Sequence, residues 1–125
     1  MARILIFIRR NRSLTQDEFR SYYEDHHSVF ALRYIRPFLT GYRRNYPQSA
    51  FSYLDAVESD GAAPASAFDY DCVTEMSFAS DADLDAMFAR LAEPDVRAAI
   101  AEDEARFIDP TSVLVLRCAE HHSSL

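Results

Sequence analysis

The sequence predicts an α+β domain in which helices cover one face of a four-stranded antiparallel sheet. Four short runs rich in β-branched and aromatic residues are typical of strands, and two helical segments lie between them in the order β-α-β-β-α-β. The 125 residues are enough for one domain with a hydrophobic core. The chain holds only two glycines, which argues against a glycine-rich phosphate-binding loop or a dinucleotide-binding fold.

The composition indicates a globular protein with an acidic surface. Hydrophobic residues make up 49% of the chain, so it is not a disordered sequence. A formal net charge of −7 disfavours nucleic acid and anionic membrane surfaces as partners. The apolar start of the chain is too short for a signal peptide or a membrane span, so we expect a soluble, cytoplasmic protein.

The first half of the chain begins with a strand and a long helix. Residues 2–9 form a continuous apolar run, which predicts a central strand covered on both faces. A helix is predicted over residues 16–36, because Thr15 and Glu18 form a capping box at its start. Pro37 ends it, since the proline ring prevents the helix from continuing.

A second strand is predicted over residues 39–46, and residues 48–67 follow without a regular pattern. We interpret residues 48–67 as a long loop inside a single domain that spans residues 1–125. Such loops often act as lids, and Phe51, Tyr53 and Leu54 could lie over a pocket. The alternative is an insertion without a role in binding.

The second half repeats the pattern with a helix that is broken in two. Ser80 and Asp83 predict the start of one helix, and Pro94 predicts the start of the next. The predicted elements are a strand over residues 68–78, helices over 81–91 and 95–107, a strand over 112–118 and a polar tail over 119–125.

This element order is that of the ferredoxin-like fold, an α+β arrangement with helices on one side of the sheet. The other side would expose the apolar alternate residues of four strands to water, which is more than a soluble monomer tolerates. Two copies that pair their sheets face to face would bury these residues. We therefore predict a homodimer.

The most informative segment is the first helix, which carries two adjacent histidines. Phe19, Tyr23 and Phe30 fall with His26 on one helical stripe, and His27 lies at the edge of that stripe. An imidazole at the border of an apolar face can act as a general acid or base. We rank His27 first as a catalytic residue and His26 second. The alternative is a packed histidine that bonds a carbonyl group.

Other polar residues are candidates for contact with a substrate. Tyr23, Tyr42 and Tyr46 could donate to an oxyanion, or could be core residues. Tyr42 and Tyr46 share a strand face, whereas Asn45 points to the opposite face from Tyr42. Glu75 lies mid-strand, where we expect a buried carboxylate paired with an arginine such as Arg43 or with His27.

No metal-binding pattern is present. Cys72 and Cys118 are isolated, and we expect buried thiols. Adjacent histidines do not have the spacing of a helical zinc motif. Three acidic residues near the end of the last helix are expected to be structural, in ion pairs and in a turn before Pro110. They are Asp103, Glu104 and Asp109.

Several short motifs occur together in the order seen in one known family. They are Leu14-Thr15 with Glu18-Phe19, Tyr23–His27 (aromatic-x-x-x-His), residues 42–45 (YRRN), residues 71–75 (DCVTE) with Phe78, and Asp103-Glu104 with Phe107 and Asp109. In these motifs the chain resembles the EthD-domain family of the dimeric α/β-barrel superfamily. It departs from the family pattern at Tyr23, where a tryptophan is usual, and in the length of residues 48–67.

The resemblance implies a dimeric α/β barrel in which His27 points into a pocket between the first helix and the sheet. Members of the superfamily differ in reaction, and our first hypothesis is a cofactor-independent lyase or isomerase, of dehydratase, cyclase or decarboxylase type. The expected substrate is a small hydrophobic carbonyl compound, aromatic or polyketide-like. The residues expected to bind it are Tyr23, His26, Tyr42, Asn45, Tyr46, Tyr53 and Glu75. Two alternatives stay open: a haem-binding or oxygen-using monooxygenase, and a non-catalytic dimer that binds a small molecule.

Overall fold

The computed structural model describes residues 1–59 and 63–125 and has four strands in one sheet. The strands are β1 (Ala2–Ile8), β2 (Gly41–Asn45), β3 (Cys72–Phe78) and β4 (Leu114–Cys118). Their order across the sheet is β2-β3-β1-β4, and every neighbouring pair is antiparallel. The predicted α+β fold with an antiparallel sheet is confirmed.

In the described part of the chain, five α-helices accompany the sheet. They are α1 (Gln16–Tyr22), α2 (Ser28–Ile35), α3 (Tyr53–Glu58), α4 (Asp81–Ala92) and α5 (Pro94–Glu104). The predicted break in the second helical segment lies between α4 and α5, where Pro94 occupies the first turn of α5. The strands are two to four residues shorter than predicted, except β1, which is one residue shorter.

The first helical segment is not continuous, contrary to the prediction for residues 16–36. Tyr23–His27 form a single π-helical turn between α1 and α2, in which the Ser28 N–H donates to the Tyr23 carbonyl five residues earlier. Thr15 and Glu18 form the predicted capping box at the start of α1. The segment ends in a 3₁₀ turn, Arg36–Phe38, which contains Pro37.

The core lies between the sheet and the helices. Along β3 burial alternates strictly, and the inward-facing Cys72, Thr74, Met76 and Phe78 are all buried. Phe19 from α1 is fully buried and its ring stacks on Phe107, with the ring centroids 5.8 Å apart. This stacking joins α1 to the segment that follows α5.

The other face of the sheet is open in the single chain, so β1 is covered on one face only and not on both. Leu5 and Phe7 point to this open face, where they oppose Leu116 and Leu114 of β4. Leu114 and Leu116 remain 50% and 42% exposed. The open face is therefore largely apolar at the β1–β4 side.

Residues 48–67 are not a patternless loop. Ser52 caps α3, and a β-bridge joins Phe51 to Ala65. Residues 60–62 of the predicted loop lie outside the described residues. Tyr53 and Leu54 are 77% and 63% exposed, so these two side chains do not cover a pocket in this chain.

Candidate active site

His27 is buried and is held by a carboxylate from a distant part of the chain. It closes the π turn, and its Nδ1 lies 2.6 Å from Oδ2 of Asp103 at the end of α5. Asp103 is only 4% exposed, and its other oxygen accepts a 2.6 Å hydrogen bond from the Tyr22 hydroxyl. The ring of Phe107 packs on the imidazole, with the centroids 4.7 Å apart. The imidazole is therefore fixed in orientation.

The electrostatics favour a neutral His27 with its proton on Nδ1. Burial lowers the pKa of His27 below its ordinary value, and this outweighs the opposing effect of Asp103. Burial acts to raise the pKa of Asp103, but hydrogen bonds from Tyr22 and His27 outweigh it, and the pKa is lowered. The ionised Asp103 accepts a hydrogen bond from the Nδ1–H of His27, so Nε2 keeps its lone pair.

A small apolar cavity of about 110 Å³ lies beside His27. Because Nδ1 is bound to Asp103, Nε2 is the nitrogen available to the cavity. The other lining residues are Ile6, Ile8, Tyr23, Ala31, Ile35, Tyr42, Met76, Leu91, Ile100, Glu104, Phe107, Ile108 and Val113. An unprotonated nitrogen inside such a cavity is suited to removing a proton from a carbon or oxygen acid.

Two tyrosines supply neutral hydrogen-bond donors at this cavity. Tyr23 lies in the π turn, and its hydroxyl is 2.7 Å from Oγ1 of the buried Thr74. Tyr42 comes from β2 and is close to Tyr23. Burial raises the pKa of Tyr23 well above its ordinary value and that of Tyr42 to about 12. Both phenols therefore stay protonated near neutral pH. The sequence-based prediction that they donate hydrogen bonds to an oxyanion requires this protonated form.

The structure places His27 at the cavity and His26 outside it. His26, expected to face inward, has a side chain that is 52% exposed, and its Nε2 is 3.3 Å from Asp103 at the outer side. The π turn explains the difference, because its wider turn keeps the fourth residue after Tyr23, His27, on the inner side. His26 does not line the cavity.

Tyr46 belongs to a different cluster from the one predicted. Its hydroxyl donates to Glu24, which also accepts two hydrogen bonds from Arg44 at 2.8 and 2.9 Å. Arg44 and the Tyr46 hydrogen bond lower the pKa of Glu24, although burial opposes this. This cluster ties β2 to the π turn, and Tyr46 does not line the cavity beside His27.

Three further residues proposed from the sequence lie away from His27. Asn45 and Glu75 share the open face of the sheet, where the Asn45 amide donates to Glu75 at 3.3 Å. Glu75 pairs with Arg3 at 3.6 Å, so neither His27 nor Arg43 is its partner. Tyr53 is exposed on α3. The strand pairing places Tyr42 and Asn45 on opposite faces, as the alternation predicts.

Asp103 and Glu104 were expected to be structural, and both are part of this site. Asp103 holds His27, and Glu104 lines the cavity. The sequence signal that could have indicated their role is the late D-E-x-x-F-x-D motif. This motif contains both residues and also Phe107, whose ring packs on His27. Asp109 accepts hydrogen bonds from Thr111 in a 3₁₀ turn, which matches the expected turn at Pro110.

A second, wider groove of about 580 Å³ lies between the start of α1 and the segments before and after α3. Four of its charged residues form ion pairs: Arg10 binds Asp71 at 2.6 Å, and Arg12 binds Asp69 at 3.3 Å. No histidine lines it. We therefore place the candidate site at the smaller cavity, where no group among residues 1–59 and 63–125 bonds the Nε2 of His27.

A comparison with known protein families shows to which family the chain belongs. The EthD domain matches residues 11–111, most of the sequence and all of the motifs after β1. The chain belongs to the EthD family. No curated protein matches the sequence.

Solved structures similar to this EthD-domain protein support the same fold at low sequence identity. An EthD-family protein from Bacillus halodurans has 13% identity and a TM-score of 0.62, and the match covers 97% of this chain and 99% of that one. A DABB-family protein with a ferredoxin-like fold from Mesorhizobium loti has 14% identity, a TM-score of 0.55 and 97% coverage of both chains. A dimeric ferredoxin-like protein from Thermobifida fusca has 19% identity, a TM-score of 0.51 and coverage of 95% and 90%.

Within residues 1–59 and 63–125, no set of three histidine, cysteine or acidic side chains is arranged to hold a metal ion. In the same part of the chain, no helix is both long and apolar enough to cross a bilayer.

Proposed function

We propose that this EthD-domain protein is a cofactor-independent lyase or isomerase that removes a proton next to a carbonyl group. The observation that carries the proposal is the 2.6 Å contact between Asp103 and His27 Nδ1, which leaves Nε2 free beside an apolar cavity. The same arrangement, a carboxylate that orients a neutral imidazole, supports general base catalysis in other enzymes.

The chemistry divides among three side chains. His27 Nε2 takes the proton from the carbon next to the carbonyl, and the imidazolium that forms is stabilised by Asp103. The enolate oxygen accepts a hydrogen bond from the neutral phenol of Tyr42. The apolar walls exclude water and so strengthen both interactions.

The size and lining of the cavity define the substrate class. A cavity of about 110 Å³ is somewhat smaller than the roughly 150 Å³ apolar cavity that admits benzene in a model protein. A single aromatic ring or a compact aliphatic carbonyl compound therefore suits this site better than a multi-ring polyketide. A haem group does not fit the cavity beside His27, so we do not favour the haem-binding alternative.

Exchange of substrate hydrogen with solvent tests the proposal without knowledge of the natural substrate. In heavy water, we expect the protein to place deuterium on the carbon next to the carbonyl of propiophenone or butanone faster than buffer does. Proton NMR or mass spectrometry measures the rate. Saturable binding of these ketones with exchange at the buffer rate would instead favour a non-catalytic binding protein.

We also propose that two copies pair through the open face of the sheet. The support is the exposed apolar set at the β1–β4 side, with Leu5 and Phe7 next to Leu114 and Leu116. A dimeric protein among the structural neighbours is consistent with such pairing. In a dimer of this kind each open face would cover the other.

A charge on this face is expected to separate the copies. Leu116→Asp should shift the protein from dimer to monomer in sedimentation experiments, because a carboxylate would be buried without a partner. Val29→Asp is the matched control, since Val29 is 58% exposed on α2, and it should stay dimeric. A dimeric Leu116→Asp variant would contradict pairing through this face.

A further inference from the structure

One carboxyl group at the cavity is not used by the mechanism above. Glu104, the last residue of α5, lines the cavity together with His27 and is partly buried. Within the described part of the chain, no hydrogen bond or ion pair engages its carboxyl group. Burial first, and the nearby charge of Asp103 second, raise the pKa of Glu104 above its ordinary value. This environment favours the protonated acid.

The titratable groups that face the cavity come from three separate elements. The π turn supplies Tyr23 and His27, β2 supplies Tyr42, and α5 supplies Glu104. Asp103 does not line the cavity, but it is hydrogen-bonded to His27, which does. Proton removal next to a carbonyl requires only a base and a donor to the carbonyl oxygen. The carboxylic acid that α5 adds is therefore suited to donating a proton to a second oxygen of the substrate.

We propose that Glu104 is a catalytic acid that protonates a β-hydroxyl group of the substrate as it leaves, so that the substrates are small β-hydroxy carbonyl compounds. This inference rests on the proposed role of His27 as the base. His27 takes the proton from the α-carbon, and that electron pair forms the new carbon–carbon double bond. The bond from the β-carbon to oxygen breaks, and the oxygen takes the proton of Glu104 and leaves as water. Solvent then restores the proton of Glu104 and removes the proton of His27.

Matched pairs of probes separate the two roles. Butanone and propiophenone report proton removal by deuterium exchange, and their β-hydroxy derivatives report elimination by the absorbance of the enone. In Glu104→Gln we expect elimination to lose far more of its rate than exchange into the parent ketones does, because exchange involves no leaving oxygen. Elimination should fall ~10²-fold or more, because the leaving oxygen loses its proton donor. Glu102→Gln, an exposed carboxylate on the same helix, is the control and should retain both activities.

The pH profile adds a measurement that a purely structural role would not change. Elimination by the wild type should decline on the alkaline side as Glu104 loses its proton, and this decline should be missing in Glu104→Gln. Glu104→Asp, which keeps a carboxyl group, should retain the decline at a lower maximal rate. These two variants distinguish loss of the acid from loss of folding.

Two results would overturn the role of Glu104 while leaving His27 as the base. One is elimination by Glu104→Gln at the wild-type rate. The other is wild-type protein that exchanges the parent ketones but eliminates water from neither derivative. Absence of exchange into both parent ketones would overturn the proposed function, and this inference with it.

Discussion

Replacing His27 with alanine should reduce exchange of ketone hydrogens to the rate in buffer, a loss of ~10²- to 10⁴-fold. The reason is that, among the described residues, His27 alone brings an imidazole to the cavity, and the other lining groups are apolar or neutral phenols apart from Glu104. Deuterium incorporation into propiophenone, followed by NMR over a range of ketone concentrations, measures the loss. Ketone binding should persist, because the apolar walls stay in place.

The fold should survive the His27→Ala change. Asp103 keeps the Tyr22 hydroxyl and His26 as partners, so its buried charge is not left alone. We expect a loss of about 1–3 kcal/mol in the free energy of unfolding, measured by chemical denaturation. His26→Ala is the matched comparison, since this imidazole lies outside the cavity, and its exchange rate should stay within tenfold of wild type. Equal losses in both variants would contradict the assignment of His27.

Replacing Asp103 with asparagine should lower the maximal exchange rate ~10²- to 10⁴-fold with little change in the ketone concentration at half-maximal rate. The amide can donate to Nδ1, which would place the His27 proton on Nε2 and leave no base at the cavity. Asp103 does not line the cavity, so ketone binding should be unaffected. Asp103 is thus a positioning residue.

The pKa of His27 provides a second test of Asp103. The carboxylate raises the pKa of His27 against the stronger effect of burial, so its removal should lower that pKa further. NMR titration of the His27 ring in wild type and Asp103→Asn measures the shift. Asp95→Asn, an exposed change on the same helix, should leave both pKa and rate unchanged. A pKa of His27 that does not move would show that Asp103 acts only in folding.

Much of the fold could be predicted because its signals are local. The capping box of Thr15 and Glu18, the proline at position 94 and the alternation along β3 each act within a few residues. Alternation also predicted that Tyr42 and Asn45 face opposite ways. These features depend on backbone geometry, which neighbouring residues determine.

The site was only partly predictable because its partners are distant in sequence. His27 and Asp103 are separated by 76 positions, and mid-strand Glu75 was the more obvious candidate for pairing. The π turn has no local signature here, yet it decides that His27 faces inward and His26 outward. The burial of Glu104 likewise depends on how α5 packs against the sheet.

The central claim is that neutral His27 removes the substrate proton, and one comparison of two titrations tests it most directly. The pKa of the His27 ring is measured by NMR, and the rate of ketone exchange is measured over the same range of pH. Because the base must be neutral, the rate should rise with pH and reach half its maximum at the pKa of His27, below the ordinary value of 6.5. An acid limb that does not coincide with the His27 titration, or a rate without an acid limb, would contradict the claim.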